Sequence, residues 1–274
     1  MDPSSWVRIP VPAPDFYEKT YVLTRSMKLI IDFVDVDFYI ELTSHKLFRP
    51  KVRSLLSGFH LTAPKEITKL VEKFERNQAE YESSTYNEMH TRMEFINPFF
   101  KALGWDMYNE QGFSETHKEV LYGSSLDLES ITLTPDYTFR IEGKIKFLVE
   151  AKKPAVNLCR REEPARQLRS YAWSAKLPVS IITNFKEFSI NDCSYPLKET
   201  DDADIARIIY LEYKEYAGCW DWIASKISRT AIQEGCLDNP EEIQNWNKEL
   251  NSLIAKNRIA ERISAHERQR LTGY

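Results

Sequence analysis

Two runs of alternating residues, joined by Glu142-Gly143-Lys144, constrain this chain more than any other feature. Residues 134–152 read T-P-D-Y-T-F-R-I-E-G-K-I-K-F-L-V-E-A-K. Tyr137, Phe139 and Ile141 alternate with Thr138 and Arg140, and Ile145, Phe147, Val149 and Ala151 alternate with Lys146, Leu148, Glu150 and Lys152. Period two over both runs predicts a β-hairpin, and the length of its loop decides which side chains face one another. A two-residue loop pairs Ile141 with Lys144, sends Asp136 and Glu150 to different faces and buries Lys144 and Lys146. A three-residue loop pairs Ile141 with Ile145, Phe139 with Phe147 and Tyr137 with Val149, which makes one apolar face and sets Asp136 opposite Glu150. The second register is the expected one, with the turn type left open.

Facing residues of an antiparallel pair have Cβ atoms about 4.5–5.5 Å apart, a separation at which two carboxylates repel unless a cation stands between them. Oxygen ligands of this kind suit Mg²⁺ or Mn²⁺, and Lys152, two residues along on the same face, would lie near the metal-bound water. The plainer reading is a surface hairpin with a solvated charged face, and only the rest of the chain can decide between them.

With 274 residues the chain can bury a substantial core. Charged residues make up 28% and hydrophobic ones 42%, without an apolar run near the roughly 18 residues of a membrane span. A soluble protein with no membrane partner is expected. No signal peptide is evident after Met1-Asp2-Pro3, and Cys159, Cys193, Cys219 and Cys236 are widely spaced with no C-x-x-C pair. That pattern argues against zinc and for a reducing, cytoplasmic location. The net charge of −4 decides nothing about nucleic acid, because a local patch is what matters.

Residues 1–60 are the least readable. Val34, Val36, Phe38, Ile40 and Leu42 alternate with acids and Tyr39 as one amphipathic strand, and Asp32, Asp35 and Asp37 read as solvated rather than metal-binding. Ile67, Leu70, Val71 and Phe74 predict a helix within 64–83. A second helix is expected to start with a capping box at Thr85-Tyr86-Asn87-Glu88 and to bury Met89, Met93, Ile96, Phe100 and Leu103, with Pro98 kinking or splitting it. Glu88 there is open to three readings: capping partner, ion pair with Arg92 four residues on, or site residue. Residues 105–108 read as a short strand and 109–131 as a long polar connection. Beyond Lys152, a helix beginning near Pro164 and burying Ala165, Leu168, Ala172 and Ala175 leads to an apolar strand at 179–183, so residues 144–183 form a βαβ unit. Strands near 185–190 and 207–213, a helix at 220–230 and a final helix from Asn239-Pro240 complete the expectation. In that final helix Ile243, Trp246, Leu250 and Leu253 form an apolar stripe.

Between 144 and 176 lie Lys144, Lys146, Lys152, Lys153, Arg160, Arg161, Arg166, Arg169 and Lys176 against Glu150, Glu162 and Glu163, nine positive minus three negative, or +6. Such a window attracts a phosphate backbone irrespective of its base sequence, so Lys153, Arg160, Arg161, Arg166 and Arg169 are the expected DNA contacts. Gln167 and Tyr171, four apart, share a helix face.

P-D-x13-E-A-K on a hairpin followed by a Q-x-x-x-Y helix resembles the PD-(D/E)XK nuclease superfamily. The blocks N-E-M-H-T-R-M-E-F-I-N-P-F-F-K-A-L-G-W-D, P-D-Y, F-L-V-E-A-K-K-P, A-R-Q-L-R-S-Y-A and I-I-T-N-F-K-E-F are similar, in order, to the N-terminal nuclease region of type IIG restriction enzymes and of type I restriction R subunits, over about residues 64–213. The resemblance implies an α/β fold with a mixed central sheet flanked by helices. It implies Asp136, Glu150, the carbonyl of Ala151 and Glu88 as metal ligands, Lys152 as the group that orients water, and Gln167 and Tyr171 as supports of the site and the phosphate. The implied activity is Mg²⁺-dependent hydrolysis of DNA leaving a 5′-phosphate, within a restriction system. No N-P-P-Y or D-P-P-Y methylation motif and no G-x-x-x-x-G-K loop is present. A cleavage module is therefore expected, with specificity supplied by a methyltransferase or specificity partner or by further domains, and with a dimer on DNA where both strands are cut. The expected organisation is an extension over 1–63, a nuclease domain over 64–235 and a helical segment over 236–274. A repair or recombination nuclease of the same superfamily, or an inert nuclease-like DNA-binding module, are the alternatives.

Overall fold

A computed structural model describes residues 63–128, 131–159, 163–196 and 206–272, together with four strands nearer the N-terminus. Those four, β1 (Val7–Arg8), β2 (Tyr21–Leu23), β3 (Lys28–Phe33) and β4 (Val36–Glu41), form an antiparallel sheet in sequence order within a unit spanning Met1–His60. Asp32 pairs with Asp37 across β3 and β4. Val34, Asp35 and Leu42 of the expected amphipathic strand lie outside the described residues.

The second unit, Leu61–Tyr274, is built on a six-stranded mixed sheet. Its strands are β5 (Val120–Tyr122), β8 (Tyr137–Ile141), β9 (Lys144–Ala151), β10 (Val179–Thr183), β11 (Glu187–Asp192) and β12 (Arg207–Glu212), in the order β12-β11-β10-β9-β8-β5. Only β9 and β10 run parallel within it, joined by helix α5 (Glu163–Ser174) as the predicted βαβ unit. A separate ribbon pairs β6 (Leu126–Leu128) with β7 (Ile131–Leu133).

The hairpin combines the two registers that the sequence offers as alternatives. Ile141 pairs with Lys144 across a two-residue turn, Glu142-Gly143, so the expected three-residue loop is corrected. Both turn residues have positive φ, 51° and 75°, the signature of the type I′ turn whose twist matches the strands. A bulge then inserts Lys146, and beyond it Phe139 faces Phe147 and Tyr137 faces Val149, as the longer loop would have arranged. The bulge leaves Lys144 exposed and Lys146 half-buried, which removes the objection to the shorter loop.

Both faces of the sheet are covered, which is why β8 and β10 are buried at every position. Phe147, Val149 and Ala151 point into a large aromatic core, where Phe139 stacks on Phe147 at 4.6 Å and Phe100 lies 4.6 Å from Phe139. Leu148 and Ile182 point the other way, onto Leu168 and Ala172 of α5. The aromatic core is closed by α1 (Lys65–Arg76), which is followed by the short α2 (Gln78–Tyr81), and by α6 (Tyr216–Ile227), α7 (Arg229–Gln233) and the first turns of α8 (Pro240–Thr272). Ile243, Trp246 and Leu250 of α8 are buried in it.

The helix carrying Glu88 departs from expectation in three respects. It starts at Glu88 and is capped by Asn87, whose Oδ1 accepts the His90 N–H at 2.8 Å, so no capping box forms at Thr85. Pro98 neither kinks nor splits it at the proline itself. Instead α3 (Glu88–Thr91) widens into a π turn, Arg92–Ile96, before α4 (Asn97–Ala102), and the Asn97 N–H donates to the Arg92 carbonyl five residues back. The wide turn lies directly ahead of the proline, whose ring would otherwise crowd the carbonyl four residues back. It also rotates the helix, so Thr91, Phe95, Ile96, Phe99 and Phe100 are buried while Met89 and Met93 are 69% and 58% exposed. Residues 105–108 form turns rather than a strand, with Trp105 buried and its indole N–H donating to the Ile227 carbonyl at 3.0 Å. The polar connection 109–131 contains β5 and β6 and begins β7, because the edge of β8 needs a hydrogen-bonding partner that composition does not reveal.

Candidate active site

Asp136 immediately precedes β8, Glu150 and Ala151 end β9, and Lys152 follows at the C-terminal end of the parallel pair. The register that sets Tyr137 against Val149 brings the aspartate beside the end of β9. The Ala151 N–H donates to Asp136 Oδ2 at 2.8 Å, and the Gly123 N–H donates to the Asp136 carbonyl at 3.1 Å. Lys152 is held by its own backbone, its N–H donating to the Thr183 carbonyl of β10 at 3.0 Å. Its ammonium turns back toward the strand, donating to Glu150 Oε1 at 2.7 Å and to the Ala151 carbonyl at 2.9 Å. Glu88 Oε2 stands 3.7 Å from the same nitrogen.

The four residues Glu88, Asp136, Glu150 and Lys152 are thus gathered from three chain segments. Neither simple reading of Glu88 holds: it caps nothing through Thr85, and Arg92 forms its ion pair with Asp136, Nη1 donating to Oδ1 at 3.0 Å. Burial pushes the carboxyls of Glu88 and Glu150 above the usual glutamate range, against the opposing pull of Lys152 on each. For Lys152 burial alone would favour the neutral amine. The bond to Glu150 and the charges of Glu150, Glu88 and Asp136 outweigh it and raise the pKa.

Among the described residues no three His, Cys, Asp or Glu side chains converge closely enough to hold a metal ion by themselves. The donor set nonetheless fits a hard divalent cation, since carboxylate and carbonyl oxygens are the ligands Mg²⁺ takes. Lys152 already places a positive charge between the Glu150 and Ala151 oxygens.

The expected phosphate contacts fare differently. Arg169 is 3% exposed, with Nε donating to the Asp192 carbonyl at 3.0 Å and the guanidinium on the Tyr195 ring at 4.4 Å. It fastens α5 to the end of β11, so its assignment as a DNA contact is corrected. Lys153 and Arg166 are half-buried, and Arg160 and Arg161 lie outside the described residues. Gln167 and Tyr171 hydrogen-bond to each other across one turn of α5. Among the described residues neither shares a hydrogen bond with the Glu88–Asp136–Glu150–Lys152 group.

Sequence reasoning missed Arg92, Tyr137 and Asn97 as parts of this site. Arg92 Nε donates to the Tyr137 hydroxyl at 3.3 Å, and that hydroxyl donates to Asn97 Oδ1 at 2.8 Å. All three stand within the quoted blocks, and Arg92 is four residues from Glu88, the one signal that could have raised it.

The family profile described as "Type I restriction enzyme R protein N terminus (HSDR_N)" matches residues 126–199. The chain is 37% identical over 183 residues to the type II restriction enzyme and methyltransferase RM.Eco57I of Escherichia coli, an alignment covering 66% of this chain and 18% of that protein. No solved structure matches the chain. Among the described residues no helix is long and apolar enough to cross a membrane.

Proposed function

We propose, from a chain whose residues 126–199 belong to the family of type I restriction enzyme R protein N termini and whose six-stranded sheet has the restriction endonuclease-like fold, that the protein hydrolyses DNA phosphodiesters in a restriction system. The observation that carries this reading is the meeting of Asp136, Glu150, the Ala151 carbonyl and Lys152 at one end of β9. Asp136, Glu150 and the Ala151 carbonyl hold a divalent cation, Mg²⁺ or in its place Mn²⁺, with Glu88 at the margin. When bound, the cation supplies the Lewis acid that phosphodiester hydrolysis requires. Lys152 orients the attacking water and stabilises the negative charge that grows on the phosphate. Gln167 and Tyr171, tied to each other, steady the phosphate from α5, and Lys153 with Arg166 neutralises the neighbouring backbone. The relative's combination of restriction and methylation supports a restriction–modification setting, in which a methyltransferase or specificity component directs this module to its target.

The test is cleavage of supercoiled plasmid with Mg²⁺, Mn²⁺ or EDTA. Nicking or linearisation that needs the metal is expected, with a loss on the order of 10³-fold in Lys152→Ala and Asp136→Ala. Unchanged cleavage in either variant would remove the site assignment.

A further inference from the structure

Arg92 is the charged group of the site for which the proposed chemistry has no use. It comes from the first residue of the π turn, and its guanidinium reaches Asp136 at two points, Nη1 to Oδ1 at 3.0 Å and Nη2 to the carbonyl at 3.4 Å. Nε donates to the Tyr137 hydroxyl at 3.3 Å, and the guanidinium carbon lies 4.8 Å from the centre of the Tyr137 ring. Its side chain is 25% exposed, so the group is partly open to solvent rather than sealed in the core.

Two of the protein's own cations therefore sit on the oxygens proposed as ligands, Lys152 on Glu150 and Ala151, and Arg92 on Asp136. Their origins differ. Lys152 bonds to its own strand end, within two residues, whereas Arg92 reaches across from a helix. Glu88, Asp136 and Glu150 against Arg92 and Lys152 sum to −1. A divalent cation turns that to +1, and one phosphodiester brings it to zero. Once the cation sits on Asp136, the attraction that held Arg92 there is cancelled. A guanidinium is also the side chain best shaped to grip two oxygens of a phosphate.

We infer that Arg92 is a resident counter-ion of Asp136 that passes from this carboxylate to the substrate phosphodiester when the divalent cation binds. The inference rests on the nuclease reading above. Arg92 and the incoming cation compete for Asp136, so the two models of Arg92 differ in sign. As a competitor, its removal tightens cation binding; as a mere prop that holds Asp136 in place, its removal weakens it.

Calorimetric titration of the DNA-free protein with Mn²⁺ measures this directly. Arg92→Met is expected to bind Mn²⁺ roughly tenfold more tightly than wild type, the value of one charge-assisted hydrogen bond, while its retention of a non-cleavable phosphorothioate duplex in Mn²⁺ falls. Arg92→Lys, which keeps the charge but not the two-point grip, is expected to bind Mn²⁺ with an affinity between the two, and it carries the test if thermal melting shows that Arg92→Met does not fold. Equal or weaker Mn²⁺ binding in the folded variants overturns the inference alone. A wild-type protein that neither binds Mn²⁺ nor cuts DNA in any metal removes the nuclease reading, and this inference with it.

Discussion

Glu150 of β9 and Glu187 of β11 lie at the same end of the sheet, and their surroundings are opposite. Glu187 is 4% exposed and held by neutral, fixed donors: the Leu158 N–H at 2.9 Å, Asn184 Nδ2 at 3.3 Å and the Tyr210 hydroxyl at 2.5 Å. Its own N–H donates to Asn184 Oδ1 at 2.7 Å, closing a turn in which Phe185 adopts φ 67°. Glu150 is held by an ammonium on a flexible stem. A carboxylate satisfied by backbone and amide groups is part of the scaffold, since its partners have nowhere else to go. One satisfied by a lysine can exchange that partner for another cation. Through the Leu158 N–H, and through Asn184 to the Val156 carbonyl, the same turn also anchors the loop that follows Lys152.

That contrast can be broken or sharpened by experiment. The largest difference is expected between Glu150→Gln and Glu187→Ala. Glu150→Gln should lose cleavage by on the order of 10²- to 10³-fold while melting close to wild type. Glu187→Ala leaves the Leu158 N–H and the Tyr210 hydroxyl without their acceptor and should cost about 3 kcal/mol of stability, with the cleavage rate per folded molecule largely kept. Denaturant melts beside plasmid cleavage decide it, and a Glu150→Gln variant that melts far below wild type while still cutting would reverse the assignment.

A smaller effect is expected from pH. Burial raises the pKa of Glu88 and Glu150 above the ordinary glutamate range, so the folded protein binds their protons more readily than the unfolded chain does. As pH falls from neutral through that raised range, these groups add stability, while the carboxylates proposed as ligands become protonated and cleavage is expected to decline. The acid limb of kcat/KM should therefore lie above the range of an ordinary glutamate, with the fold intact across it. Activity that disappears only together with the near-UV circular dichroism signal would contradict this.

The smallest effect separates two basic residues that look alike in the sequence. Lys153→Ala should shallow the salt dependence of DNA retention by about 0.9 in log–log slope, whereas Arg169→Ala should leave the slope unchanged and lower the melting temperature. A shallower slope in Arg169→Ala would return that residue to the DNA interface.

Much of the architecture was legible because period and spacing are local properties. The alternation over 137–151 yields the hairpin, and the apolar run at 179–183 after a helix yields the parallel crossover. The meeting of the acids proposed for the site was legible through their blocks, where Pro135-Asp136 and Glu150-Ala151-Lys152 flank strands of recognisable pattern. What stayed hidden depends on partners distant in the chain. Arg169 reads as one more charge on a basic helix, and only the end of β11 and Tyr195 reveal that it is buried. Met89 and Met93 fit an apolar stripe at α-helical spacing, and the π turn takes them off it.

The sequence by itself therefore determined the elements and most of their order, and it placed Asp136, Glu150 and Lys152 within reach of one another, because side-chain period and turn residues act over a few positions. Tertiary structure alone decided the bulge at Lys146, the cap at Asn87 and the pairing of Arg92 with Asp136. The competing local choices differ little in energy: loops of two or three residues, caps at Thr85 or Asn87, and Arg92 bonded to Glu88 or to Asp136. Closing the aromatic core selects among them, since burying Phe139 against Phe147 and Phe100 outweighs any preference of a single turn.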